Sequence, residues 1–215
     1  MAFCLMFSIS SFAHEIRPGF LQIEQVNETL INTIKTYLLL GIEHILLGID
    51  HLLFVLALLL ITPGFSKLIK TIIAFTIAHS ITLSLSALGF VGLPGSPVEA
   101  VIALSIVFLA YEIVKYYRGE ESLAINYPWV VAFAFGLLHG FGFAGALTSI
   151  GLPQTTIPAA LLFFNVGVEI GQILFIIVVI TVTWLLKKSK INFPNWVKLI
   201  PVYGIGYIAS MWLIE

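Results

Sequence analysis

Residues 157–186 read IPAALLFFNVGVEIGQILFIIVVITVTWLL, thirty positions in which Glu169 is the one charged side chain. About twenty apolar residues carry a helix across a ~30 Å hydrocarbon layer, so this stretch alone predicts a membrane-spanning helix. Runs of the same character occupy 34–61, 68–89, 98–117, 128–149 and 197–214, which makes six expected spans. The runs are continuous, without the alternation that barrel strands require, so the expected fold is an all-α, six-span helical bundle. Composition agrees: 60% of residues are hydrophobic, 10% are charged and mean hydropathy is +1.08, whereas soluble domains carry about a quarter charged residues.

Breakers separate the runs at Thr62-Pro63-Gly64, Gly92-Leu93-Pro94-Gly95, Gly151-Leu152-Pro153 and Phe193-Pro194-Asn195. Eight of the ten cations, Lys67, Lys70, Lys115, Arg118, Lys187, Lys188, Lys190 and Lys198, fall in alternate loops. Cytoplasmic loops retain Lys and Arg, so the expected location is a bacterial inner membrane with both mature termini outside. Residues 1–13 are apolar and end in Ser11-Phe12-Ala13, the small-x-small pattern of a cleaved signal peptide. The domain expectation is then a leader at 1–13, a short extracytoplasmic segment at 14–33 and a six-helix membrane domain at 34–215. Cys4 lies within the leader, so a mature chain would carry no thiolate ligand or nucleophile.

Four of the five histidines, His44, His51, His79 and His139, lie inside expected spans, together with Asp50, Glu112 and Glu169. A charge at the bilayer centre costs ~2.5–3.5 kcal/mol on insertion scales, so such groups are expected to face one another within the bundle. At ~1.5 Å of rise per residue His79, His139 and Glu169 fall roughly 18–20 Å below the outer ends of their helices, and His44 and His51 bracket that depth at about 15 and 25 Å. His44 and His51 are seven residues apart, on one face of a continuous helix, with Gly48 between them and Asp50 beside His51. Two turns separate their Cα atoms by about 10 Å, too far for a simple i, i+4 chelate. They therefore read as two stations on a path, or as ligands completed by other helices, with Asp50 as an orienting acceptor. Thr76 and Thr82 share a stripe with His79, Asn165 and Gln172 share a face with Glu169, and Glu112 lies near an inner helix end, where it could snorkel.

Imidazoles and carboxylates without thiolate suit a divalent transition ion such as nickel, cobalt or zinc. The expected metal residues are His44, Asp50, His51, His79, His139 and Glu169, with Gly48, Asn165, Gln172, Glu112, Thr76 and Thr82 supporting them. The same residue types serve three functions: ion permeation, a proton relay in an accessory membrane protein, and metal-assisted hydrolysis within the membrane. No His-Glu-x-x-His helix and no nucleotide-binding motif occurs, and no basic block suggests nucleic acid. The expected partners are membrane lipid and the ion as substrate, with a second copy of the chain or an extracytoplasmic metal donor as protein candidates.

The His44…Asp50-His51 run resembles the H-x5-D-H signature of the HupE/UreJ family of bacterial membrane proteins. The segments 75–83 (FTIAHSITL), 98–100 (VEA), 136–144 (GLLHGFGFA) and 164–172 (FNVGVEIGQ) are similar to its second subgroup. The resemblance implies a nickel or cobalt permease. The better-studied permease branch has F-H-G-x-A-H-G-x-E; aligned on His139-Gly140, this chain has Phe135 in place of the first His and Gly142 in place of the Glu.

Overall fold

The structure is a computed structural model that describes residues 30–153, 156–189 and 194–214. The expected leader at 1–13 and most of the segment at 14–33 lie outside the described residues. Among those residues the chain is helical, with no strand: α1 Leu30–Leu47, α2 Ile49–Ile61, α3 Phe65–Ala87, α4 Gly95–Tyr117, α5 Leu123–Asn126, α6 Pro128–Ile150, α7 Ile157–Lys188 and α8 Ile200–Ile214. A short 3-10 helix at Asn195–Leu199 leads into α8. The bundle is that of an integral membrane protein. α1, α3, α4, α7 and the Trp196–Ile214 unit are each long and apolar enough to cross a bilayer, while α2 and the described apolar part of α6 are shorter.

The breakers act where a helix must reverse. Gly64 and Gly151 adopt φ of 88° and 94°, a left-handed conformation that a side chain disfavours. The first expected span departs from its expected continuity. It divides at Gly48, whose extended φ −80°, ψ 101° separates α1 from α2. Gly48 N–H still donates to His44 O at 3.1 Å, and Gly48 O accepts from Leu52 N–H at 3.0 Å, so the break is a single-residue step. The low helix propensity of glycine makes this the weakest point of an otherwise leucine-rich run.

Glycines also set the packing. A Cβ on Gly41 would collide with the α7 backbone at Phe164 and come within 2.9 Å of Val168 N, and one on Gly171 would meet Ile45 Cβ at 2.9 Å. On α6, a Cβ on Gly136 would lie 2.5 Å from Phe75 O and 2.9 Å from Ala78 Cβ, and one on Gly140 would strike Thr82 and His79 O. Residue numbers rise together in both contacts, so α1 runs parallel to α7 and α3 parallel to α6. Small residues that let backbones touch are a principal means of helix association in lipid, where tails are as apolar as leucine. α4 packs mainly on α8 and on α2, through Phe54, Ala57, Leu58, Ile106, Leu109, Val202 and Ile205.

Side chains outside these seams are apolar and outward-facing, as lipid contact demands: Leu162, Ile177, Val178 and Val182 on α7 are exposed. Exposed Tyr116, Tyr117, Tyr127, Trp129, Trp184 and Trp196 gather where Lys115, Arg118, Lys187, Lys188 and Lys198 lie, and Lys188 Nζ sits 5.1 Å over the Trp184 ring. Aromatic rings beside cations are typical of a membrane–water boundary.

Candidate metal centre

The break at Gly48 decides the site. With α1 and α2 no longer one rod, the imidazoles of His44 and His51 come to a ring-centroid separation of 4.3 Å. The rise of about 10 Å expected between their Cα atoms assumed an unbroken helix; with the break the two rings are neighbours, as the reading of ligands completed by other helices requires. His79 on α3 completes the group, at ring distances of 6.0 Å from His44 and 6.4 Å from His51. All three are buried, and each offers one ring nitrogen such that the three nitrogens lie within 4.8 Å of one another. His139 on α6 stands beside them, 5.5 Å from His51 by ring centroid and fully buried. The glycine contact between α3 and α6 sets the helix of His139 against that of His79.

Hydrogen bonds at Nδ1 assign the tautomers of His79 and His139. The Asn165 Nδ2 group donates to Leu161 O at 2.8 Å, which turns Asn165 Oδ1 toward His79. Nδ1 of His79 lies 3.2 Å from that oxygen and therefore donates. Nδ1 of His139 donates to the carbonyl oxygen of Phe135 at 2.9 Å. Nδ1 of His51 lies 3.1 Å from an Asp50 carboxylate oxygen. His79 and His139 thus keep their lone pairs on Nε2, and those Nε2 atoms, like both ring nitrogens of His51, are buried without a hydrogen-bond partner. Buried polar atoms are ordinarily satisfied. Unpaired ring nitrogens on neighbouring imidazoles, with His79 and His139 each held by an acceptor at Nδ1, are features that metal-binding histidines share.

The supporting residues divide. Asn165 holds the His79 imidazole, Asp50 lies beside His51, and Gly48 provides the break. Thr76 donates to Gln172 Oε1 at 3.3 Å, joining α3 to α7 one turn from His79. The Thr82 hydroxyl donates back to its own helix, toward Ala78 O at 3.3 Å. Glu169 is half-buried on α7, and among the described residues no hydrogen bond or ion pair joins it to the imidazoles. Glu112 is buried elsewhere: it accepts from Ser122 Oγ at 3.0 Å and Ala124 N–H at 3.1 Å and pairs with Lys115 at 3.4 Å. That arrangement ties α4 to the short helix α5 and resembles an N-terminal cap in its chemistry.

Residues that sequence reasoning left aside surround the imidazoles. The Phe143 ring lies 3.9 Å from His44 and stacks on Phe164 at 5.1 Å. Phe54 lies 4.7 Å from His139 and 5.0 Å from Phe75. Their signal was spacing: Phe54 is three residues from His51, Phe75 four from His79 and Phe143 four from His139, each on its histidine's helix face.

The family model described as HupE / UreJ protein matches residues 21–215 of the chain. No curated protein and no solved structure matches it.

Proposed function

The chain belongs to the HupE/UreJ family, and from that premise we propose that it is a permease or facilitator for a divalent transition-metal ion, nickel or cobalt in keeping with the family's link to metal uptake. The observation that carries this reading is the convergence of His44, His51 and His79 at a break in a membrane helix. Discontinuous helices that place polar groups near the midplane are a recurrent feature of ion-coupled and ion-carrying membrane proteins. In this reading α1 and α2 together form the first of six spans, α6 forms the fourth, and the protein sits in the bacterial inner membrane with both termini outside.

The proposed chemistry follows from the donors. His44, His51 and His79 bind the ion, with His139 positioned to take over or complete the coordination. Neutral imidazoles favour a borderline ion over magnesium or calcium, which prefer oxygen and give up water reluctantly. Asp50, with a carboxylate oxygen 3.1 Å from His51 Nδ1, partly offsets the charge of the ion. Glu169, away from the imidazoles, contributes negative charge along α7 without ligating. Nothing in the sequence binds a nucleotide, so the driving force is the gradient of the ion or a partner.

Purified protein in liposomes, with a metal-sensitive dye inside, tests the proposal. Wild type should admit Co²⁺ or Ni²⁺, and His51→Ala and His79→Ala should abolish uptake while remaining folded. Unchanged uptake in folded His51→Ala would defeat it. An ion that copurifies tightly and never crosses would favour intramembrane metal-dependent catalysis instead.

A further inference from the structure

Each side of the imidazole group is closed by a pair of phenylalanines contributed by two different packed units. Phe143 follows His139 by four residues along α6, and Phe164 precedes the Asn165 contact to His79 on α7. They stack at 5.1 Å with their planes 10° apart, and both approach His44, at 3.9 and 5.5 Å. This pair lies toward the end of the bundle that carries the α3–α4 and α6–α7 turns, where Tyr37 donates to Gly151 O at 2.6 Å. Phe54 and Phe75 lie on the opposite side, one turn beyond His51 on α2 and one turn before His79 on α3. Their rings are 5.0 Å apart and reach His139 at 4.7 and 5.3 Å. Phe54, Phe75 and Phe164 are at most 1% exposed and Phe143 is 6% exposed.

Resting on the permease reading, we propose that these pairs are two gates and that the structure is the occluded conformation, with the ion site sealed from both aqueous sides. The packing defines where each gate parts. α3 and α6 are locked by backbone contact at Gly136 and Gly140, and α1 and α7 by contact at Gly41, Gly167 and Gly171. α2 instead packs mainly with α4, beyond the break at Gly48. The Phe143–Phe164 pair bridges the α3/α6 unit to the α1/α7 unit. The Phe54–Phe75 pair bridges α2 to the α3/α6 unit. Rigid units that slide against one another, with a hinge at a helix end, form a standard switching device, and Gly48 supplies the hinge for α2. Closed rings on both sides also exclude water, so an ion must shed its hydration shell to bind. Exchange of water for imidazole then occurs in a dry site, where it discriminates between ions most strongly.

The test uses the full chain in liposomes of one orientation, selected by a C-terminal tag, with Co²⁺ as probe. Visible absorption of Co²⁺ reports site occupancy, and an impermeant chelator is added on one side at a time. Wild type should lose Co²⁺ slowly from either side. Phe143→Ala and Phe164→Ala should speed loss on the order of tenfold or more, only with chelator on the side of the α3–α4 turn. Phe54→Ala and Phe75→Ala should do so only from the other side. Phe143→Leu and Phe54→Leu, which keep bulk, should stay near wild type and control for folding. Equal acceleration from both sides, or none in any alanine variant, overturns the gates and leaves the metal site standing. If wild type or His51→Ala shows that the absorption does not arise at the imidazoles, the permease reading falls and the gates fall with it.

Discussion

Under the proposed metal-binding reading, Asn165→Leu isolates the part of the site that orients an imidazole without touching the ion. The substitution keeps the side chain's approximate size and removes the oxygen that accepts from His79 Nδ1, 3.2 Å away. His79 is fully buried, so its Nδ1–H would be left unmatched, at a cost of about 1–3 kcal/mol to the folded protein. The ring can relieve that cost by moving its proton to Nε2, which removes the lone pair from the site. Loss of such an outer partner typically weakens metal binding ~10–100-fold, which is about 1.4–2.8 kcal/mol and falls within the range of the cost being relieved. The assay is a Co²⁺ titration of purified protein in detergent against a competing chelator. Asn165→Asp, which retains an acceptor, should stay within about threefold of wild type, a difference of under ~1 kcal/mol. If folded Asn165→Leu binds Co²⁺ as wild type does while His79→Ala does not, the tautomer argument is wrong.

Gly140→Val drives a side chain into Thr82 and the α3 backbone and should destabilise the protein by about 1–3 kcal/mol, whereas Gly145→Ala, where a Cβ meets nothing within 4 Å, should not; thermal unfolding in detergent compares them. Glu112→Ala removes the acceptor shared by Ser122 and Ala124 and should expose the 118–127 segment to protease, with Co²⁺ affinity unchanged. Glu169→Gln should slow uptake into liposomes and leave Co²⁺ affinity within about threefold; a collapse of affinity would make Glu169 a ligand.

The fold class was legible because lipid selects for continuous apolar runs, and 157–186 admits no other reading. The common level of His79 and His139 was legible too, since turn positions and a constant rise align them, and Gly140 packs against His79 O. The geometry between His44 and His51 was not. Their spacing implies a rod, and only tertiary packing decides that Gly48 breaks while Gly41, equally free of a side chain, stays helical against α7. Asn165 was visible as a polar residue in an apolar run, but its pairing with His79 depends on the rotation of α7 relative to α3. Glu169, expected from its depth and from the face it shares with Asn165 and Gln172, is half-buried, whereas α7 buries Asn165, Val168 and Gln172. Helix α5 escaped notice because four residues are too few to show a period.

If the chain is a permease as proposed, the bare contact of α3 with α6 has a consequence for selectivity over evolutionary time. With no side chain between the two main chains at Gly136 and Gly140, the span from His79 to His139 is a dimension of the scaffold, beyond the reach of rotamer change. A relative that handles a larger ion could not simply swap ligands. It would first have to add atoms at those glycines and push the two helices apart.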